Sequence, residues 1–171
     1  MQFFPNLSHL ELTNSYFNEE LLKLKNLQYL NLEGTKFRSD FLLIFANNCE
    51  NLAHLKIYKI NIQEDIMIWF LEKTKNHLKS LYVEGTVLSD AFYQFLPDCS
   101  KLEELGIRNA KILKKNNIHD ISKLHNLKVL ELYVMHKLTS EDYISLFENN
   151  NLAQLTKLGM VSYKMSLICN F

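Results

Sequence analysis

The chain has 171 residues, 47% of them apolar and 22% charged, and its 19 Lys and Arg balance its 19 Asp and Glu. That length supports one domain with a sizeable core, and the zero net charge argues against a broad electrostatic footprint for nucleic acid or an anionic membrane. No apolar run reaches the ~20 residues of a membrane helix, and "MQFFPNLSHL" lacks the basic flank and apolar stretch of a secretory leader. Three cysteines do not make a disulfide framework, so the expected setting is the cytoplasm or nucleus. The sequon Asn6-Leu7-Ser8 carries little weight there.

Along the chain one six-residue pattern, L-x-x-L-x-L with Ile, Val or Met allowed last, occurs seven times. It starts at Leu7, Leu27, Leu52, Leu78, Leu102, Leu127 and Leu155, with spacings of 20, 25, 26, 24, 25 and 28 residues. A further apolar residue follows at Phe17, Phe37, Ile62, Leu88, Ile112, Leu138 and Met165. Beyond it, "SDFLLIFANNC", "QEDIMIWFLEK", "SDAFYQFLPDC" and "SEDYISLFENN" open on Ser or Gln with acidic residues and continue with apolar residues at helical spacing. Such openings suit a helix N-terminus, and the spacing gives one buried face. Each unit therefore predicts a short strand, a turn and a helix running back. The short first unit predicts one helical turn near Glu19–Leu24, and the polar fifth, "KILKKNNIHDISKL", an irregular segment. A unit of this kind cannot bury its apolar face alone, so stacking is required. The expected fold is α/β: a solenoid of about seven repeats with a parallel sheet on its concave face and helices on its convex face. It would be one domain over 1–171, drawn from a longer repeat array.

Three residues before each leading Leu stand Phe4, Leu24, Cys49, Lys75, Cys99, Leu124 and Leu152. All but Lys75 are apolar, so the position is interior, where free Cys serves as a small apolar residue. Cys49 and Cys99 lie two repeats apart, about 10 Å in stacked strands, beyond the ~7 Å reach of a disulfide. Both are expected as buried free thiols, and Cys169 has no assigned role.

The pattern C-x-x-L-x-x-L-x-L at a period near 26 resembles the cysteine-containing class of leucine-rich repeats. "CENL", "CSKL" and the degenerate "FPNL" look like that class's C-P-x-L, and "EGTKFRSD" and "EGTVLSD", with Thr35 and Thr86, look like its strand-to-helix segment. The resemblance covers roughly residues 4–165. It implies kinship with F-box/leucine-rich-repeat proteins, the substrate receptors of cullin–RING ubiquitin ligases, although no F-box precedes the first repeat here. It implies a non-catalytic protein-interaction scaffold, with ligase subunits reached through a missing upstream segment. The alternative is a regulatory domain, similar to ribonuclease inhibitor, that occludes a partner enzyme.

Side chains alternating with the ladder leucines fall on the concave face. Tyr29, Tyr58, Tyr82 and Tyr133 lie there, with Lys56, Glu84 and Arg108 among them. Tyr and Arg are enriched in binding hot spots, so these seven are the candidate partner-binding residues for a protein or peptide ligand. Glu84 and Arg108 also stand where a cross-strand ion pair is expected. His9 and His54 share a column with Tyr29 between them, too far apart for one metal ion. Lys111, Lys114 and Lys115 read as a solvated turn, and Trp69, with Ile66 and Phe70, as helix core. The chain has no phosphate-cradling glycine loop, no H-E-x-x-H, no G-x-S-x-G and no C-x-x-C. No catalytic residue, metal or cofactor is expected.

Overall fold

The computed structural model describes residues 4–84, 87–112, 118–133, 139–147 and 152–161. In chain order its strands are β1 (His9–Glu11), β2 (Tyr29–Asn31), β3 (His54–Ile57), β4 (Ser80–Glu84), β5 (Val87–Leu88), β6 (Glu104–Arg108), β7 (Lys111–Ile112), β8 (Val129–Tyr133) and β9 (Lys157–Val161). The α-helices are α1 (Phe41–Asn48), α2 (Glu64–Thr74), α3 (Asp90–Phe95), α4 (Ile118–Ile121) and α5 (Ser140–Phe147). The turn expected in the first unit is a 3₁₀-helix, Glu19–Lys23, capped by the Asn18 side chain.

Seven strands form one parallel sheet in the order β1-β2-β3-β4-β6-β8-β9, and β5 pairs with β7 beside it. The register matches every ladder leucine with its repeat equivalent: Leu10, Leu30, Leu55, Leu81, Leu105, Leu130 and Leu158. One strand's side chains point alternately to the two faces, so a fixed register puts one apolar row under the sheet. Leu30, Leu32, Leu55, Ile57, Leu81, Val83, Leu105, Ile107, Leu130 and Leu132 are buried there against the helices. Each such side chain contributes about 1.5–3 kcal/mol by leaving water. The helices pack side by side in chain order, α1 on α2 through α4 on α5. Trp69 is half-buried on that core and carries Lys73 over its ring.

Helix starts show which polar residues act. Ser89 accepts from the Ala91 amide, while Glu64 of α2 reaches forward to accept from the Ser89 amide, tying adjacent units. At α5 the acting cap is Thr139, one residue before the expected Ser: Thr139 and Asp142 exchange backbone and side-chain bonds as a capping box. Cys49 and Cys99 are free and buried. Leu24, Leu124 and Leu152 are buried at the same repeat position, whereas Phe4 is exposed and Lys75 lies over the Phe95 ring. Thr35 is buried and donates to the Leu12 carbonyl of the preceding unit. Thr86, Lys114, Lys115, His136, Leu138, Met165 and Cys169 lie outside the described residues.

Where strands end, the backbone turns by one repeated device. Asn14, Gly34, Lys59 and Asn109, each two residues beyond the last ladder position, take positive φ of 49°, 66°, 56° and 50°. Three of these amides donate to the carbonyl at the end of the next strand: Asn14 to Glu33, Gly34 to Tyr58 and Asn109 to Tyr133. Asn26 and Asn126, just before their leading leucines, each donate to a carbonyl of the preceding unit. Among the described residues no helix is long and apolar enough to cross a membrane.

Candidate binding face

The face of the sheet opposite the helices carries two clusters. On β1–β3 the rings of His9, Tyr29 and His54 form a ladder, with centroids 5.7 Å apart for the first pair and 6.1 Å for the second. The in-register pairing makes neighbours of these three residues. Burial raises the Tyr29 pKa, helped by Glu11 beside it, and burial lowers that of His54. Tyr29 thus separates the two histidines, and among the described residues no group of His, Cys, Asp and Glu could hold a metal ion.

The second cluster spans β3 to β8. The Arg108 guanidinium lies 4.5 Å from the Tyr58 ring centre and 4.8 Å from that of Tyr133. Tyr82 meets Tyr58 edge to face at 6.1 Å, and Lys56 lies 4.9 Å from the Tyr58 ring centre. Two glycines permit this arrangement. A Cβ on Gly106 would stand 2.1 Å from Tyr82 Cδ1, and one on Gly159 would stand 2.4 Å from the Tyr133 hydroxyl. Each ring therefore lies over the bare backbone of the next strand.

Carboxylates anchor both rings and cations. Glu104 accepts from the Tyr82 hydroxyl at 3.1 Å and from Ser80 at 3.2 Å. Glu131, 5% exposed, receives Arg108 Nη2 on one oxygen and Lys157 Nζ on the other, both at 2.8 Å. Burial works against the Glu131 charge, but the bonds from Lys157 and Arg108 prevail, and its carboxyl stays below the usual range. Burial also opposes the Arg108 charge, but the Glu131 bond together with the Tyr58, Glu131 and Tyr133 charges outweighs it, so Arg108 is held above its usual value. The phenols of Tyr58 and Tyr82 are pushed up, first by burial.

The seven residues expected on this face fall in the expected columns, but not all of them in one cluster. Tyr58, Lys56, Tyr82, Arg108 and Tyr133 converge, Tyr29 belongs to the histidine ladder, and Glu84 lies at the rim of the cluster. Tyr58 is only 3% exposed, because Arg108, Lys56 and Tyr82 cover it. The expected Glu84–Arg108 pair does not form: Arg108 pairs with Glu131, and Glu84 accepts from Asn109 at 2.8 Å. Glu131 stands opposite Gly106 on β6 and pairs with Arg108 two residues further along that strand. Sequence reasoning missed Glu131, Glu104, Gly106 and Gly159. The available signal was a glycine at the position after the ladder leucine, Gly106 after Leu105 and Gly159 after Leu158, beside a tyrosine on the preceding strand.

No protein-family model matches the chain, and no curated protein matches it. Among solved structures the chain is similar to a leucine-rich repeat protein of Leptospira interrogans, at 22% identity and a TM-score of 0.55. The match covers 94% of this chain, which spans 38% of the length of that one. Together with the in-register parallel sheet, the likeness makes the fold a leucine-rich repeat solenoid.

Proposed function

We propose that the chain is a non-catalytic scaffold that holds a protein or peptide ligand against the open face of its sheet. The observation that carries this reading is the cluster of Tyr58, Tyr82, Arg108 and Tyr133, in which Gly106 and Glu104 fix the Tyr82 ring and Gly159 seats that of Tyr133. Rigid aromatic and Arg side chains lose little entropy on binding, which favours them as anchors. The finer reading is the substrate-recognition part of a cullin–RING ubiquitin ligase receptor in the cytoplasm or nucleus, with catalysis left to other subunits. It rests on the resemblance of the cysteine-containing units, and the burial of Cys49 and Cys99 at equivalent positions is consistent with it.

The test is affinity capture from cell lysate followed by mass spectrometry. The wild type is compared with a folded Tyr58→Ala, Tyr82→Ala, Arg108→Ala variant. A prey lost with the variant supports the binding face, and co-recovered cullin-ligase subunits support the receptor reading. A prey enzyme inhibited by the chain would point instead to an occluding regulator. Identical recovery by both baits removes this face from consideration.

A further inference from the structure

The charges on this face are not equally satisfied. Among the described residues the carboxylates around the second cluster have donors: Glu33 pairs with Lys59, Glu84 accepts from Asn109, Glu104 from Ser80 and Tyr82, and Glu131 from Arg108 and Lys157. The cations are not matched in the same way. Lys56 has the Tyr58 ring as its neighbour and no hydrogen-bond acceptor among the described residues. Arg108 uses Nη2 on Glu131, but Lys157 takes the second Glu131 oxygen. The fork that a carboxylate fills bidentately is therefore half used, and Arg108 Nε is buried with no partner. Nη1 also has no acceptor among the described residues. Two cations with unmet donors thus flank one ring, that of Tyr58, each within 5 Å of its centre.

We infer that the partner brings an acidic side chain, Asp or Glu, to Tyr58, where Lys56 Nζ and Arg108 Nη1 receive its carboxylate. This rests on the proposed binding face and names the partner's chemistry. The site asks for an acceptor because its own acids are already bonded, whereas Lys56 and Arg108 Nη1 are not. It asks for a carboxylate because two positive charges lie within 5 Å of one ring centre, and the tyrosine walls thin the solvent that would screen them. A basic segment would bring like charge against Lys56 and Arg108, a repulsion that discriminates against it.

The test uses a displayed library of random linear peptides, selected on the folded wild-type chain and on Lys56→Glu. Lys56 donates no hydrogen bond among the described residues, so the variant should keep its fold, checked by circular dichroism and melting. Wild type should enrich peptides with Asp or Glu. Changing that residue to Asn or Gln in a selected peptide should weaken binding about tenfold, and salt should weaken it further. Arg108→Lys, which keeps the charge and loses the fork, should weaken the acidic peptides, and Lys56→Glu should abolish their enrichment. Peptides that need Tyr58 and Tyr82 but show no acidic preference would overturn the carboxylate anchor and leave the binding face standing. Peptides indifferent to every substitution on this face, or no selected peptide at all, would overturn both.

Discussion

Tyr82 lies flat across Gly106, its Cδ1 occupying space only 2.1 Å from where an alanine methyl would begin. The contact ties β4 to β6 by side chain as the ladder ties them by backbone, and it holds the ring where its hydroxyl reaches Glu104. Gly106→Ala should therefore expel Tyr82 and destabilise the fold by ~1–3 kcal/mol. Tyr82→Ala combined with Gly106→Ala should be little worse than Tyr82→Ala alone, because the clash has gone. Denaturant unfolding of the three variants measures this; fully additive losses would mean that the ring and the glycine do not meet.

Glu131 makes stability depend on acid. Its folded pKa is depressed, so its contribution is complete above the ordinary carboxylate range and is lost as pH falls through the depressed folded value. At neutral pH, Glu131→Gln should cost ~1–3 kcal/mol, since Arg108 and Lys157 lose a charged acceptor. The gap between wild type and variant should close on acidification. Unfolding midpoints from neutral pH downward test it, and a gap constant with pH would contradict the assignment.

The two buried cysteines should respond differently to Ser. Cys49 Sγ lies 3.2 Å from the Leu24 carbonyl, so a hydroxyl there inherits an acceptor. Cys99 has no such partner among the described residues, and burial, then Asp98, pushes its thiol up to about 12. Cys99→Ser should cost ~1–3 kcal/mol and Cys49→Ser distinctly less. Both native thiols should resist alkylation; rapid labelling of either would contradict its burial.

Tyr93 is fully buried with its hydroxyl unpaired. Tyr93→Phe removes an unsatisfied polar group and keeps the ring, so it should stabilise by ~1–2 kcal/mol. A lower melting temperature would show that the hydroxyl has a partner in solution.

Lys59 holds a positive φ that a side chain disfavours. Its ion pair with Glu33, at 3.5 Å and with the Lys59 side chain 60% exposed, offsets little of that strain. Lys59→Gly should stabilise by ~0.5–1 kcal/mol. Gly34→Ala should do the reverse, meeting both the positive φ and the Asn14 side chain. Equal melting temperatures for Lys59→Gly and wild type would exclude strain at this turn.

The repeat period and the alternation of leucines carried most of the fold, because register in a buried parallel sheet follows directly from which face is apolar. The helix starts were legible to within a residue, and Thr139 was overlooked because Ser140 imitates a cap. The binding face was legible as a set of columns but not as contacts. Alternation places Arg108 beside Glu84, yet a long side chain chooses among several carboxylates within reach, and here it takes Glu131 on the following strand. Burial of Tyr58 likewise depends on where its neighbours lean, which spacing does not encode.

In a stacked array each unit ordinarily touches only the next, so the chain behaves like a leaf spring whose leaves slide independently. The Arg108 stack departs from that rule by joining Tyr58, just past β3, to Tyr133 on β8, with β4 and β6 between them. It works as a strut on one side of the spring. Bending that spreads this face must draw the guanidinium off its rings, whereas bending the other way need not. The sheet is therefore stiffer in one direction than the other, and anything that claims Arg108 also sets how far the array can flex.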